Sequence, residues 1–264
     1  MTGYILETDK DRLRGYLLSD PHINLYHLGD LDDFFWPHTR WYTRQQGDDL
    51  TAVALFYTGE EPPVLLAILN DNQEEMAALV EEMLPILPDQ LYAHLSPEME
   101  ALFAADYRIV QDYGEHYKMA LTNLDKLHQI DTNSVIPLTM ADLPRLEALY
   151  QAAYPGNWFN PRMLETGQYT GIPDERGRLL CVAGIHVYSP EYKVAALGNI
   201  TTLPEYRSRG LAATVTAGLC KQLLQTVDMI GLNVKTDNIA ANRAYTRIGF
   251  EPVGVYHEWM MERR

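Results

Sequence analysis

A short loop between a predicted strand and a predicted helix carries the residues of this chain that are best suited to chemistry. Residues 194–203 are mostly apolar or β-branched, as in a buried strand, and Pro204 ends that strand because it cannot donate to a ladder. From Arg207 onward, apolar side chains recur at the spacing of one helix face, so residues 207–210 lie at a helix N-terminus. Gly210 lets the backbone approach a ligand there, and unpaired N–H groups favour an anion such as a diphosphate.

A second motif follows this loop at a fixed distance. The loop has the form Arg207-x-x-Gly210-x-Ala212, and further on come Leu232-Asn-Val-Lys-Thr-Asp-Asn238, then Ala241, then Tyr245-x-x-x-Gly249-Phe250. Together these segments resemble the GNAT superfamily of acetyl-CoA-dependent N-acyltransferases. A Rossmann or P-loop interpretation fails, because the glycine patterns of those motifs are absent.

The resemblance implies acetyl-CoA as a co-substrate and no metal. In the family, main-chain groups of the strand before the loop pair with the pantetheine arm, and amides of the loop and helix hold the diphosphate. Asn238 is predicted to cap the next helix and, by the resemblance, to contact the cofactor. The cofactor-binding residues that the resemblance implies are Ile200, Thr201, Thr202, Arg207, Ser208, Arg209, Gly210, Leu211, Ala212, Ala213 and Asn238.

Tyr245 is the predicted catalytic residue. A phenol with a pKa near 10 is close to the pKa range of a thiol, so Tyr245 could protonate the departing thiolate. The base is open: some members of the family carry a glutamate where this chain has Asn233, and an amide is not a useful proton acceptor. Water is one alternative, and the side-chain candidates are His186, Tyr188, His257 and Glu258.

No Ser-His-Asp or Cys-His arrangement is evident in the sequence, so direct attack of an amine in a ternary complex is predicted. In the family, the segment after the first helix commonly lines the acceptor site. That position makes four aromatic residues candidates for acceptor specificity, although ordinary packing beside the sheet explains them equally well. They are Tyr154, Trp158, Phe159 and Tyr169.

The predicted fold is α/β (α+β), with two GNAT-like units, each a mixed, mostly antiparallel twisted sheet flanked by helices. Residues 1–122 form a degenerate N-terminal domain, because their order of elements imitates the fold without the cofactor motif. Residues 123–133 form a polar linker, and residues 134–264 form the catalytic domain. The combination is similar to the glycine N-acyltransferases.

Composition favours a soluble protein of the cytoplasm. No run approaches the length of a membrane span, the N-terminus does not resemble a signal peptide, and the two cysteines are too few for a disulfide framework. A net charge of -15 argues against nucleic acid as a partner and tilts toward a cationic or amine acceptor, either a small molecule or a peptide. A homodimer is compatible with the sequence, which does not fix the oligomeric state.

Two other functions stay open at this point. The chain could be a non-catalytic acyl-CoA-binding or regulatory protein, which Asn233 favours, or an N-acyltransferase that uses longer acyl chains.

Overall fold

The computed structural model describes residues 3–68, 72–157 and 159–264. Its strands are β1 (Ile5–Glu7), β2 (Thr39–Gln46), β3 (Asp49–Tyr57), β4 (Val64–Ala67), β5 (Gln90–Leu95), β6 (Tyr107–Leu121), β7 (Ile136–Pro137), β8 (Thr170–Pro173), β9 (Leu179–Ser189), β10 (Val194–Thr202), β11 (Met229–Lys235) and β12 (Phe250–Arg263). Its α-helices are α1 (Lys10–Leu17), α2 (Leu25–Asp30), α3 (Gln73–Met83), α4 (Leu124–His128), α5 (Leu143–Ala153), α6 (Pro161–Leu164), α7 (Leu211–Leu223) and α8 (Ile239–Ile248).

Contacts divide the chain into two compact units, Met1–Lys118 with Val253–Arg264, and Met119–Pro252. The division near residue 118 lies close to the boundary predicted at 122. The last strand differs from the prediction, which placed it in the second domain. It groups with the first unit because β12 pairs with β5, and because Trp259 and Met261 lie in the apolar core of that unit.

The first unit contains a sheet in the order β1-β2-β3-β4-β5-β12-β6. Strands β4 and β5 are parallel, whereas β1–β2, β2–β3, β3–β4 and β5–β12 are antiparallel. The sequence marks Asn72 as a candidate cap for α3, and its side chain accepts a hydrogen bond from the Glu75 amide at 3.2 Å. Its buried face, which includes Met76, Leu79 and Met83, packs into the core of the unit.

The second unit contains the strand order β11-β10-β9-β8-β7. Strands β10 and β11 are parallel, and the other neighbouring pairs are antiparallel. Helix α7 buries Val215, Leu219 and Leu223, which recur at four-residue spacing. In both units a mixed, mostly antiparallel sheet is flanked by helices, so the predicted fold class is confirmed.

Local predictions were wrong where polar residues interrupt the hydrophobic pattern of a short helix or a strand. The linker predicted at 123–133 contains helix α4, which Asn123 caps and which buries Leu127 completely. The mixture of aromatic, histidine and acidic residues at 21–38 indicates an irregular stretch, but this stretch contains α2. Strand β2 was not predicted, because its buried side alternates Thr39, Trp41 and Thr43 with arginines and other polar groups. The apolar run at 64–69 predicts a strand; that strand ends at Ala67, and residue 69 lies outside the described residues.

Candidate active site

The parallel strands β10 and β11 pair over only part of their length. Their register runs from Val194 opposite Met229 to Leu197 opposite Leu232, after which each strand continues without the other. Strand β10 stays attached to β9 through Thr202, which lies opposite Cys181. Main-chain groups of β10 beyond Leu197 therefore face a gap between two diverging strands. The three β10 residues predicted to pair with a ligand, Ile200, Thr201 and Thr202, lie along this gap.

A bulge at Asn199 bends β10 away from β11. The register with β9 shifts between Gly198 and Thr201, and Asn199 has a left-handed backbone with φ of 54°. The Tyr150 hydroxyl donates to the Asn199 carbonyl at 2.9 Å, and the Asn199 amide nitrogen lies 3.4 Å from the Tyr169 hydroxyl. Two buried tyrosines thus fix the bend. Tyr169 is fully buried, so its position is that of a packing residue rather than of an exposed acceptor contact.

The loop after β10 presents main-chain amides at the start of α7. Ser208 and Gly210 have left-handed backbones, with φ of 62° and 82°, and Gly210 is the N-terminal cap of the helix. The first hydrogen bond of the helix runs from the Thr214 amide to the Gly210 carbonyl at 3.1 Å. Within the described part of the chain, the amides of residues 208–213 have no acceptor. Free amides at a helix N-terminus, together with the helix dipole, form a site for an anion.

The two arginines of the loop are anchored within it. Arg207 donates from Nε to the Thr202 carbonyl and from a terminal nitrogen to the Ala153 carbonyl, both at 3.2 Å. Arg209 donates to the Glu205 carbonyl at 3.1 Å, and its guanidinium stacks over the Tyr206 ring at 4.9 Å. Each guanidinium has further N–H donors, but these contacts hold the conformation of the loop.

Helix α8 places Asn238 and Tyr245 at its two ends. The Asn238 side chain accepts a hydrogen bond from the Ala241 amide at 3.2 Å, so the predicted helix cap is confirmed. Tyr245 is buried, with its ring centroid 6.1 Å from that of Phe250. Burial raises the pKa of Tyr245 above its ordinary value of 10.0, and the nearby Cys181 adds to this effect. The hydroxyl therefore stays protonated at neutral pH, and no hydrogen-bond partner for it is found in the described residues.

Two of the four candidate bases, Glu258 and Tyr188, are hydrogen-bonded to neighbouring side chains. His257 and Glu258 belong to β12, in the first unit. Glu258 accepts hydrogen bonds from Tyr92 and Tyr256 and lies 3.6 Å from the Nε2 atoms of two histidines, His94 and His116. The Tyr188 hydroxyl donates to the Thr226 hydroxyl at 3.0 Å. His186 is half-buried on β9, in the second unit.

Asn233 lies on β11, one residue beyond the last pair with β10. Its side-chain oxygen is buried and has no partner in the described residues. Of the predicted acceptor residues, Phe159 packs between two rings, 5.0 Å from Tyr150 and 5.8 Å from Tyr169. Tyr154 is exposed, and Trp158 lies outside the described residues.

A cleft of about 350 Å³ lies elsewhere in the second unit, between α5 and the turn that joins β8 to β9. Two of its arginines are paired with acids. Arg145 lies 2.6 Å from Asp142, and Arg178 lies 2.9 Å from Glu205. The site at the diverging strands is better suited to bind an anion than this cleft is, because the amides of residues 208–213 have no acceptor among the described residues.

The predicted cofactor-binding residues and Tyr245 all belong to the second unit: they lie on β10, in the loop and first turn of α7, and on or next to α8. Sequence reasoning missed the roles of Tyr150 and Asn199. Asparagine tolerates the left-handed region better than most residues, so an asparagine inside an apolar strand was the signal for a bulge. Among the described residues, no group of three or more His, Cys, Asp or Glu side chains could hold a metal ion, and no helix is long and apolar enough to cross a membrane.

Comparisons with known proteins find relatives of the second unit's sequence and of the fold. Residues 187–260 match the family model described as FR47-like protein. A mycothiol acetyltransferase from Tsukamurella paurometabola is 32% identical over 97 residues, which are 36% of this chain and 33% of that relative. A tandem GNAT protein from the clavulanic acid biosynthesis pathway superposes with a TM-score of 0.59 at 14% identity, over 100% of this chain and 98% of that one. A Drosophila protein superposes with a TM-score of 0.72 at 12% identity, over 99% of both chains.

The fold is that of the GNAT acetyltransferases, including tandem members. The segment that matches the FR47-like model, residues 187–260, contains all the predicted cofactor-binding residues and Tyr245. The chain spans about a third of the length of the mycothiol acetyltransferase that it matches.

Proposed function

We propose that the second unit binds acetyl-CoA and transfers the acetyl group to a primary amine of a small molecule, an amino acid or a peptide. The observation that carries this proposal is the set of free amides at residues 208–213, directly after a strand that diverges from its parallel neighbour. The amides suit a diphosphate, and the gap between the strands suits an extended arm that pairs with main-chain groups. Bound acetyl-CoA would supply an activated acyl group as a thioester.

Two groups of this chain would then stabilise the charge that develops during acetyl transfer. A main-chain amide of residues 200–202 would polarise the thioester carbonyl, as in an oxyanion hole. The Leu203 amide is excluded from this role because it donates to the Leu180 carbonyl at 2.9 Å. The Tyr245 hydroxyl donates a hydrogen bond to the sulfur as negative charge develops there. Its raised pKa makes it a hydrogen-bond donor first and a proton source second, since a thiol is the stronger acid of the two.

Direct attack by the amine is favoured over an acyl-enzyme. Burial raises the pKa of the Cys181 thiol to about 12, and burial also raises that of the Cys220 thiol. Thiolate is the reactive form, so neither cysteine is suited to act as a nucleophile at neutral pH.

We infer that the first unit does not repeat this site. Its parallel strands β4 and β5 pair to their last residues, Ala67 opposite Leu95, and the Ser96 amide donates to the Ala67 carbonyl at 3.3 Å. The first turn of α3 carries Glu74 and Glu75, whose charge opposes a bound anion. The pairing and the charge both support a degenerate unit.

The proposal is tested by titrating the whole chain with acetyl-CoA in a calorimeter and by measuring CoASH release against a panel of primary amines. We expect micromolar binding and release that depends on at least one amine, with intersecting initial-velocity lines. Binding without release for any amine would instead support the acyl-CoA-binding alternative, which Asn233 favours. Faster release from longer acyl-CoA esters would support a longer-chain N-acyltransferase.

A further inference from the structure

His186 lies on the face of the sheet that is opposite to α7. The Thr170 hydroxyl donates to the Val215 carbonyl of α7 at 3.3 Å, so Thr170 and its strand partner Ala183 face that helix. Side chains alternate along a strand, so Ile185 shares the face of Ala183, and Gly184 with its partner Gly198 faces the other side. His186 is the extra residue of a bulge in β9, and its ring lies over Gly198, on the face opposite to α7.

Asn233 lies on the same face of the sheet as His186. Ile185 is opposite Leu197, and Leu197 is opposite Leu232, so these three apolar side chains share the α7 face. The next residues along their strands, Gly198 on β10 and Asn233 on β11, therefore face the other side.

The imidazole of His186 extends across β10 toward β11. A Cβ atom built on Gly198 would lie 2.0 Å from His186 Cδ2 and 2.2 Å from its Nε2. The ring therefore occupies the volume that any larger residue would fill at this position. It lies at Leu197 and Gly198, where the two parallel strands separate and where a bound thioester would begin its course through the gap.

We propose that His186 is the general base of the amine acetyltransferase reaction, and that the Asn233 side-chain oxygen accepts a hydrogen bond from the attacking amine. This inference rests on the proposed function. The amine nitrogen forms a bond to the thioester carbonyl carbon, the carbon–sulfur bond breaks, and the proton from the amine passes to His186 Nε2. The thiolate leaves with a hydrogen bond from Tyr245 and is protonated from solvent, and His186 returns its proton to solvent.

Asn233 suits the second role because its oxygen is buried without a partner among the described residues. A buried acceptor gains a hydrogen bond when an N–H donor arrives, and it discriminates against acceptors that lack one. The base that a glutamate on β11 would have supplied comes, in this proposal, from the adjacent strand β9.

The test uses the full chain and measures CoASH release at saturating acetyl-CoA, with water as the acceptor and with the first amine that the wild-type chain acetylates. For His186→Gln we expect a loss of about 100-fold in turnover, within the range of general base catalysis. The wild-type rate should rise with pH through an ionisation that is missing from the variant, whereas the ionisation of the amine itself should appear in both proteins. Affinity for acetyl-CoA, measured by calorimetry, should change by less than about twofold, because His186 is not one of the diphosphate-binding groups.

Gly198→Ala provides an independent route to the same defect, because the new methyl group must displace the imidazole. We expect a comparable loss of turnover with acetyl-CoA affinity retained. Tyr188→Phe is the matched control, since Tyr188 lies two residues along β9 and its hydroxyl is bonded to Thr226. That variant should keep the wild-type turnover and pH profile.

If His186→Gln keeps the full rate and the pH profile while acetyl-CoA still binds, His186 is not the base and the proposed function is unaffected. If the wild-type chain fails to bind acetyl-CoA or to release CoASH with any acceptor, the proposed function and this inference are both overturned.

Discussion

At the scale of the residue, burial changes the chemistry that was expected of single side chains. From the sequence, the Tyr245 phenol matched a thiol because both titrate at similar pH. In the folded chain, burial raises the pKa of Tyr245, and the match is lost. Sequence could predict the position of Tyr245 from its spacing to Asn238, but it could not predict the burial that sets the pKa.

Replacing Tyr245 with Phe should lower turnover by about 10- to 100-fold, because one hydrogen bond to the developing thiolate is lost. Affinity for acetyl-CoA should stay within about twofold of wild type, and the ring should still pack against Phe250. Steady-state CoASH release and calorimetry measure the two quantities. An unchanged rate would make Tyr245 a structural residue only.

A second prediction concerns His27 in the first unit. Burial lowers the pKa of His27 from 6.5 to about 3, and the nearby Lys118 and His94 charges act in the same direction, against a hydrogen bond to Leu66. The folded chain therefore keeps His27 neutral, whereas the unfolded chain binds a proton below pH 6.5. Stability is complete above that pH and is lost as pH falls toward 3, so we expect about 2 kcal/mol less stability at pH 5 than at pH 7 from this residue.

Urea unfolding of wild type and of His27→Gln at a series of pH values checks the His27 prediction. The variant should show a shallower fall in stability between pH 7 and pH 5, because glutamine does not titrate. Parallel curves for the two proteins would show that His27 is not the titrating group.

At the scale of the element, helix ends were predicted well and strand geometry was not. The side chains of Asn72 and Asn238 and the conformation of Gly210 act within one turn, so the local sequence reports them. The divergence of β10 from β11 depends on Tyr150, which is 49 residues away from Asn199 along the chain. A hydrogen bond of that range leaves no periodic pattern in the sequence.

Tyr150→Phe should weaken the bulge at Asn199, because the buried Asn199 carbonyl loses its hydroxyl donor. We expect a loss of about 1–3 kcal/mol in stability and a weaker affinity for acetyl-CoA, since the gap between β10 and β11 is no longer held open. Tyr107→Phe is the control, because the Tyr107 hydroxyl also donates to a main-chain carbonyl, that of Pro88, but in the first unit. Equal acetyl-CoA affinity in both variants would refute the role given to Tyr150.

At the scale of the whole molecule, the two-unit plan was predictable from the repeated order of elements, but the place of the last strand was not. Strand β12 follows the second unit in sequence and pairs with β5 of the first. The sequence does not indicate which sheet Trp259 and Met261 join, because alternation along a strand identifies its buried face but not its neighbouring strand. The order of elements in the first unit was predictable, but the pairing of its strands was not. The absence of the cofactor motif from that unit does not show how β4 and β5 pair.

Trp259→Ala should destabilise the first unit selectively. Trp259 is buried in the core that contains Leu79 and Leu91, and truncation of a large buried aromatic costs about 3–5 kcal/mol. Hydrogen exchange should show faster opening of α3 and β5, with α7 less affected. Leu219→Ala, which removes a fully buried side chain of α7, should give the opposite pattern. Uniform loss of protection in both variants would mean that the two units open as one.

The measurement that bears most directly on the central claim is the affinity of Gly210→Asp for acetyl-CoA. Gly210 has φ of 82°, and a Cβ there would meet only Arg247, at 3.7 Å, so the fold should survive with modest strain. Gly177→Asp is the matched control, because Gly177 has the same φ of 82° and nothing within 4 Å of its Cβ position. We expect calorimetry to find wild-type affinity in Gly177→Asp and at least a 100-fold loss in Gly210→Asp, because a carboxylate then occupies the diphosphate site. Wild-type affinity in Gly210→Asp would show that no diphosphate binds at the start of α7.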